Sequence, residues 1–188
     1  MKKQNIFVRS LRELRNPRAL VVTAMLIALN LAMDMAGIRF YITPEVRVSP
    51  GFLCNASVGM LYGPTVGMMT GFLTDVLGFL FDNSGMGYFP GYTITAIVGG
   101  LIYGLWLYPG KPTRLRVLGA KACINLFCNI VLNTIWSSML YGSAISAILP
   151  ARIVKNLILL PIEVIALYLV ANIVLTQFHR VFSHSVRS

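Results

Sequence analysis

The sequence predicts an all-α membrane protein, a single domain over residues 1–188 with six transmembrane helices and both termini on the cytoplasmic side. Hydrophobic residues make up 56% of the 188-residue chain and charged residues only 12%, at a mean hydropathy of +0.73. A soluble domain of that composition would expose large apolar patches. Apolar windows of about 20 residues, the length that crosses a bilayer, also follow one another along the chain.

Six apolar segments define the predicted helices. They are expected near residues 19–36, 51–62, 64–81, 92–108, 115–139 and 150–176. The second is too short to cross a bilayer alone, so we predict that it is tilted and broken, or extended by the loop before it. Residues 1–18 are predicted to form a basic amphipathic lead-in on the cytoplasmic surface, residues 19–176 the helix bundle, and residues 177–188 a cytoplasmic tail.

The net charge of +10 comes from basic residues at the chain ends and in one loop. They are Lys2, Lys3, Arg9, Arg12, Arg15 and Arg18, then Lys111, Arg114, Arg116 and Lys121, then Arg180 and Arg187. Membrane proteins concentrate Lys and Arg on the cytoplasmic side in this way. The distribution therefore orients the bundle and indicates the lipid bilayer, rather than nucleic acid, as the partner of these charges.

The fifth apolar segment carries Asn125, Asn129 and Asn133 at four-residue spacing, with Trp136 just after them. On an α-helix these side chains form one slowly drifting stripe. Carboxamides are costly against lipid, so the stripe is predicted to face the bundle interior. Asn supplies donors and acceptors, which beside an indole suits a flat heterocyclic ligand. Hydrogen bonding between helices explains the stripe equally well.

Several cations are predicted at the outer mouth of the bundle, against the positive-inside bias. They are Arg39 and Arg47 in the first outer loop, and Arg152 and Lys155 at the start of the sixth helix, where they share a face with Asn156. Arg binds carboxylates through two oxygens, so an acidic ligand group is expected here. The alternatives are pairing of the loop arginines with Glu45 and snorkelling of the helix cations to the interface.

The second outer loop combines glycines and a proline with the rings of Tyr88, Phe89 and Tyr92. Glycines give such a loop mobility, and the rings give it a stacking face. An aromatic belt at the membrane interface is the alternative explanation for these rings.

Two further features lie within the predicted spans. Ala24, Ala28 and Ala32 recur every four residues, which makes one face of the first helix flat and suits close approach of another helix, either within the bundle or from a partner subunit. Asp75 lies about midway along the third helix, where a lone acid is costly. A ligand donor, a helix cap, or pairing with Lys121 or Lys155 would each satisfy it, and the internal pairing is favoured.

Motifs for several other functions are missing from the sequence. It has no G-x-x-x-x-G-K-[ST] segment for ATP and no G-x-S-x-G or H-E-x-x-H motif, and its two histidines, His179 and His184, lie in the predicted tail. An intramembrane enzyme, a bound metal and a cofactor are therefore not expected. A small channel is also disfavoured, because channels usually need a symmetric oligomer with a pore-lining series.

Five stretches together resemble the S components of energy-coupling factor (ECF) vitamin transporters, most closely the folate-specific branch. They are SLRELRNPRALVVTAMLIALN, VRVSPGFLCNASVGMLYGP, GFLTDVLGFLF, YFPGYTITAIVGGLIYGLWLY and LPARIVKNLILLPIE. The SLREL lead-in, the YFPGYT loop and the last stretch are typical of the folate branch. The alanine face and the segment around Asp75 are typical of S components in general.

The resemblance implies an S-component-like six-helix bundle in the plasma membrane of a prokaryote, which binds folate or a related vitamin and is not an enzyme. It implies an ECF transmembrane scaffold, docked on the alanine face, and two ATPase subunits that use ATP. For folate, the Asn stripe and Trp136 are expected to take the pterin, the loop rings the benzoyl group, and the outer cations the glutamate carboxylates. An S component for another small heterocyclic vitamin is the alternative.

Overall fold

The computed structural model describes residues 5–38, 40–43, 46–48, 50–81, 87–108, 110, 112–141 and 145–184. Its elements, in chain order, are α1 (Ile6–Glu13), α2 (Pro17–Met35), β1 (Phe40–Thr43), β2 (Val46–Val48), α3 (Gly51–Tyr62), α4 (Pro64–Phe81), α5 (Pro90–Leu107), α6 (Arg114–Cys123), a π-helical segment (Ile124–Leu132), α7 (Asn133–Tyr141) and α8 (Ile145–His184). The architecture is helical, as the composition predicts.

Six of the helical stretches account for the predicted spans. Five in the described part of the chain are long and apolar enough to cross a membrane, namely Pro17–Met35, Pro64–Phe81, Pro90–Leu107, Arg114–Leu140 and Leu149–Thr176. The sixth, α3, is apolar but has only 12 residues. The six-helix prediction is confirmed. The bounds of α3 and α4 are those predicted, because Gly63, with φ +89°, ends one helix and Pro64 begins the next.

The short helix α3 lies inside the bundle, where it contacts α2, α4, α5 and α8. Eight of its 12 residues are buried, and the side chains of Ala56 and Val58 have no exposed surface. A helix surrounded by other helices is packed against protein rather than lipid. Its length is therefore not set by the thickness of the bilayer.

Glycines bring α4 and α5 into close contact along their length. A Cβ atom on Gly67 would lie 2.6 Å from the carbonyl oxygen of Gly100, and one on Gly71 would overlap the carbonyl group of Ala96. Side chains at these positions would force the helices apart, so the small residues fix the pair at short range. The pair supports polar side chains on both helices, which are described below.

The predicted amphipathic lead-in forms a docked helix, α1. The side chain of Ser10 is fully buried. Its Oγ donates to the carbonyl oxygen of Tyr62 (2.6 Å) and accepts from the backbone N–H groups of Thr65 (3.0 Å) and Val66 (3.2 Å). These groups belong to the α3–α4 turn. We call the end of the bundle that carries this turn and α1 the α1 end, and the other the opposite end.

A short hairpin precedes α3. β1 and β2 pair antiparallel, with Tyr41 opposite Arg47 and an irregularity between Tyr41 and Thr43. The sequence predicts only a loop here, because strands of four and three residues show too little alternation to be recognised.

The fifth predicted helix is not one continuous α-helix, which corrects the prediction for residues 115–139. Its central nine residues, Ile124–Leu132, are π-helical, and the backbone N–H of Asn133 donates to the carbonyl of Cys128, five residues back. Asn125 and Asn129 lie in this segment, so the α-helical spacing assumed for the Asn stripe does not hold there. Short π-helical insertions are common at functional sites.

Candidate functional site

Three carboxamides meet where the π-helical segment packs against α8. Asn129 Nδ2 donates to Asn125 Oδ1 (3.0 Å) and to Asn156 Oδ1 (3.1 Å). Asn125 Nδ2 donates to the carbonyl oxygen of Asn156 (3.4 Å), and Asn156 Nδ2 to that of Arg152 (2.8 Å). Asn125 and Asn156 are buried, at 4% and 8% exposure. Much of the hydrogen-bonding capacity of this group is therefore used within the protein.

Arg152 strengthens the same junction. Its Nη1 donates to the carbonyl oxygen of Asn129 (3.3 Å), and its Nη2 donates to Ser137 Oγ (2.6 Å). One guanidinium thus joins α8 to both the π-helical segment and α7. Charge-assisted hydrogen bonds of this kind are stronger than neutral ones, so Arg152 has a structural part in holding the wall that carries the Asn side chains.

Asn133 differs from the other two members of the stripe. Its side chain is partly exposed, but its Oδ1 atom is buried and has no hydrogen-bond partner among the described residues. A buried acceptor without a donor costs free energy. Asn133 also begins α7, at the end of the π-helical segment. It is the member of the stripe whose carboxamide oxygen is not used as an acceptor within the described part of the protein.

Three aromatic rings cluster at Trp136, which lies three residues after Asn133 on α7. The Phe89 ring centroid lies 5.7 Å from that of Tyr92 and 5.9 Å from that of Trp136, both in edge-to-face geometry. Trp136 Nε1 donates to Thr95 Oγ1 (3.0 Å). The indole is thus fixed by α5 on its polar edge and by Phe89 on its apolar side, as expected for a stacking surface.

Sequence reasoning missed two residues that build this cluster. A Cβ atom on Gly91 would lie 2.7 Å from Trp136 Cδ2 and would also overlap the ring of Phe89. Glycine at this position is therefore required for the two rings to approach. Thr95, one helical turn later, holds the indole N–H. The only sequence signal for either was their place in the first turns of α5, directly after the aromatic loop.

The expected pairing of Asp75 with Lys121 is wrong. Lys121 pairs instead with Glu163, Nζ to Oε2 at 3.0 Å. Asp75 Oδ2 accepts from Thr93 Oγ1 (2.6 Å), which in turn lies 2.5 Å from the hydroxyl of Tyr88. Asp75 therefore connects α4 to α5 and to the aromatic loop, and sequence reasoning missed Thr93 as the connecting residue.

The same group of side chains positions Tyr88. Its ring lies 5.2 Å from that of Phe79, centroid to centroid, and the side chain is 44% exposed. Tyr88 thus faces away from the Phe89–Tyr92–Trp136 cluster toward the end of α4. The three loop rings predicted to act together are divided between two neighbouring contacts.

The other predicted cations are only partly described. Arg39 lies outside the described residues, and the backbone of Arg47 lies in β2 opposite Tyr41. Lys155 lies on α8, three residues after Arg152, with a partly exposed side chain. Contact of these three cations with a ligand carboxylate stays a prediction.

A second polar group joins α2, α3 and α4 and was not predicted. Asn30 Nδ2 donates to Asn55 Oδ1 (3.1 Å), and Asn55 Nδ2 donates to Thr74 Oγ1 (3.5 Å). Asn30 and Thr74 are buried. The signal in the sequence was a single carboxamide in each of two apolar segments, which is weaker than a repeated stripe.

Ala24, Ala28 and Ala32 all lie on the exposed side of α2, whereas Thr23 and Ile27 face the bundle. The flat face is therefore on the outer surface of this chain rather than inside it. Among the described residues, no group of three or more His, Cys, Asp or Glu side chains is placed to hold a metal ion.

The arrangement offers a planar ligand an aromatic face, a buried acceptor and a nearby cation. Phe89 and Trp136 supply the face, Asn133 Oδ1 supplies the acceptor, and α8 places the guanidinium of Arg152 against Asn129 O and Ser137 Oγ. Binding pockets for small heterocycles typically combine apolar walls with a few convergent polar groups.

Comparisons with known proteins find a matching family and similar relatives. Residues 18–171 match the family described as ECF transporter, substrate-specific component. The folate transporter FolT of Clostridium novyi (strain NT) is 40% identical over 126 residues, which cover 67% of this chain and 73% of that protein. FolT of Leuconostoc mesenteroides subsp. mesenteroides is 32% identical over 176 residues, which cover 90% of each chain.

The fold is also similar to a solved structure, described as a crystal structure of FolT bound with folic acid. The two superpose with a TM-score of 0.73 at 31% sequence identity, and the alignment covers 83% of this chain and 92% of that chain.

Proposed function

Because this chain belongs to the substrate-specific components of ECF transporters, we propose that it is the membrane subunit that captures folate for an ATP-driven uptake transporter. The observation that carries this proposal is the similarity to a structure of FolT with folic acid, which extends over 92% of that chain. The relatives from Clostridium novyi and Leuconostoc mesenteroides are named folate transporters as well. The family is a transporter component and not a class of enzymes.

The chemistry of the candidate site supports a folate-like ligand. A pterin presents an amino group and ring nitrogens, which need acceptors and donors in one plane. Asn133 Oδ1 is a buried acceptor that has no partner among the described residues, and an amino group of the pterin would satisfy it. Phe89 and Trp136 offer an aromatic face as well.

The acidic part of folate has its own counterpart in the sequence. The glutamate carries two carboxylates, which bind best to cations with directed donors. Arg39, Arg47 and Lys155 are the candidates from the sequence, whereas the guanidinium of Arg152 donates to Asn129 O and Ser137 Oγ. Arg152 then acts mainly by holding the π-helical segment in place.

The proposal includes an orientation and a set of partners. The α1 end carries Arg9, Arg12, Arg15, Arg18, Arg114 and Arg116, so it faces the cytoplasm by the positive-inside rule. The Asn133–Trp136 region then opens to the outside of the plasma membrane. An ECF transmembrane scaffold and two ATPase subunits supply the energy, and ATP is used by those subunits.

Calorimetric titration of the purified chain tests the proposal. Folic acid is the ligand, and riboflavin and thiamine are the controls, since other S components take other vitamins. We expect saturable binding of folic acid and of a reduced folate, with no heat from the controls. Binding of a control vitamin in preference to folic acid would move the chain to another branch of the family.

A further inference from the structure

Helix α1 presents three chemically different sides. Successive residues of an α-helix are about 100° apart. Ser10 therefore points to one side, which is buried against the bundle. Phe7, Val8 and Leu11 form a second side, exposed at 39%, 46% and 53%. Arg9 and Arg12 lie on the third side, which carries the charge.

The orientation of α1 is fixed by contacts at several points. Thr65 Oγ1 donates to the carbonyl oxygen of Phe7 (3.1 Å), in addition to the three hydrogen bonds of Ser10. Arg9 Nε donates to the hydroxyl of Tyr108 (2.8 Å), and its guanidinium lies 4.7 Å from the centre of that ring. The helix cannot rotate to bury its apolar side against the bundle without breaking these contacts.

The apolar side of α1 lies close in sequence to a helix that is long and apolar enough to cross a membrane. A short turn separates α1 from the apolar helix α2, whose N-terminus is capped by the side chain of Asn16. The first turns of α2 expose Leu20 and Val21 at 47% and 58%. The exposed apolar side of α1 is therefore separated by only a short turn in the chain from a helix whose outer side lipid must cover.

Positive charge follows the same part of the chain. Arg12, Arg15 and Arg18 recur every third residue from the end of α1 into the first turn of α2. Amphipathic helices that lie in the membrane interface combine a row of cations with an apolar side in this way. Anionic headgroups attract such cations by about 1 kcal/mol for each residue near the surface.

We propose that α1 is an interfacial anchor, with Phe7, Val8 and Leu11 inserted at the headgroup boundary and Arg12, Arg15 and Arg18 bound to anionic phospholipids. The three hydrogen bonds of Ser10 Oγ join this anchor to the α3–α4 turn. The anchor then fixes the depth of the α1 end in the bilayer. A partner protein on the same side of the membrane would then have to bind a surface other than the apolar side of α1.

Depth-dependent quenching tests the insertion. The Leu11→Trp variant is placed in nanodiscs that contain lipids brominated at stated acyl positions, with the Arg9→Trp variant as the matched control on the charged side of α1. The quenching of the parent protein, which has Trp106 and Trp136, is subtracted from both.

The apolar side of an interfacial helix lies about 5–10 Å into the boundary. Shallow bromines should therefore quench the added indole of Leu11→Trp more than deep bromines do, and more than they quench the added indole of Arg9→Trp. Phe7→Trp repeats the measurement if Leu11→Trp folds poorly.

Lipid dependence tests the headgroup contact. The thermal unfolding midpoint is measured in phosphatidylcholine nanodiscs with increasing phosphatidylglycerol. The parent protein should gain stability with the anionic fraction, and the gain should fall at 1 M salt, where the Debye length is about 3 Å. Replacement of Arg12, Arg15 and Arg18 by Gln should remove most of the gain, whereas Arg114→Gln with Arg116→Gln should keep it.

Two results would overturn the proposal. Equal quenching of the Leu11→Trp and Arg9→Trp variants would show that the apolar side of α1 lies out of the lipid and is left for a protein partner. Strong quenching of Leu11→Trp without any effect of phosphatidylglycerol would show insertion alone and would remove the anionic headgroups from the proposal.

Discussion

Lys121 and Glu163 form an ion pair inside the bundle, with Lys121 Nζ 3.0 Å from Glu163 Oε2. Only 2% of the lysine side chain is exposed. The ring of Phe52 covers the ammonium on another side, 4.0 Å from Nζ to the ring centre. The pair thus joins α6 to α8 next to α3, one turn before Asn125.

Removing one partner of this pair should be costly. An uncompensated charge in a buried site typically costs about 3–5 kcal/mol, so Lys121→Met and Glu163→Leu should each lower the free energy of unfolding by that order. The double variant, with neither charge, should recover most of the loss. Unfolding can be followed with a thiol-reactive dye, because Cys54 and Cys128 are buried in the folded chain. A double variant as unstable as either single one would show that the pair contributes net stability.

The helix bounds could be predicted because they depend on local chemistry. Gly63 at positive φ and Pro64 at the first position of α4 interrupt an otherwise continuous apolar run. The inward placement of Asn125 was also predictable, since a carboxamide facing lipid is costly.

The π-helical segment could not be predicted, because part of what satisfies it is far along the chain. The carbonyl of Asn129 accepts from Arg152, 23 residues later. The partner of Lys121 was hidden for the same reason, since Glu163 lies 42 residues after Lys121 and the sequence favoured an internal pairing of Asp75 instead. Only the packing of α6 against α8 distinguishes them.

Asn133→Ala should weaken folate binding without a large loss of stability. Its buried oxygen has no partner among the described residues in the unliganded chain, so removal costs nothing until the ligand arrives. Loss of one ligand hydrogen bond is worth about 1–3 kcal/mol, or roughly 5- to 150-fold in Kd. Calorimetry with folic acid measures it.

Asn125→Ala is the control for that measurement. Asn125 bonds to Asn129 and to the backbone of Asn156, so its loss should lower the unfolding midpoint. Unchanged folate affinity in Asn133→Ala, with normal folding, would show that the Asn stripe serves hydrogen bonding between helices rather than ligand binding.

Lys155 and Arg47 should discriminate between folate and pteroate, which keeps the pterin and benzoyl groups but has no glutamate. Lys155→Ala and Arg47→Ala are each expected to reduce folate affinity more than pteroate affinity. Arg152→Ala should reduce both to a similar extent and lower the unfolding midpoint, because this side chain holds Asn129 and Ser137. Equal losses for both ligands in every variant would argue against a division between tail and ring contacts.

Ser10→Ala should destabilise the α1 end. It removes one donor and one acceptor that together serve Tyr62, Thr65 and Val66. A buried polar group left without a partner costs about 1–3 kcal/mol. Thr65→Val, which loses a single exposed bond to Phe7 O, should cost less in the same unfolding assay. If both variants unfold like the parent, the hydrogen bonds of Ser10 and Thr65 do not hold α1 against the bundle.

Ala28 should matter for assembly rather than for folate binding. Ala24, Ala28 and Ala32 form a flat strip on the outer side of α2, and small residues at this spacing let another helix approach closely. Ala28→Trp fills that strip but lies on the exposed side of the helix, away from Thr23 and Ile27. Folate binding by the isolated chain should therefore remain near normal, while co-purification with the ECF scaffold and folate uptake are lost.

Leu29→Trp is the matched control, because it adds the same ring to the next position of α2, which is also exposed but about 100° around the helix. It should assemble and transport. If Ala28→Trp assembles as well, the scaffold docks on another surface. If it abolishes folate binding by the isolated chain, the strip packs against part of this same protein, because a docking face cannot affect the site before the partner is present.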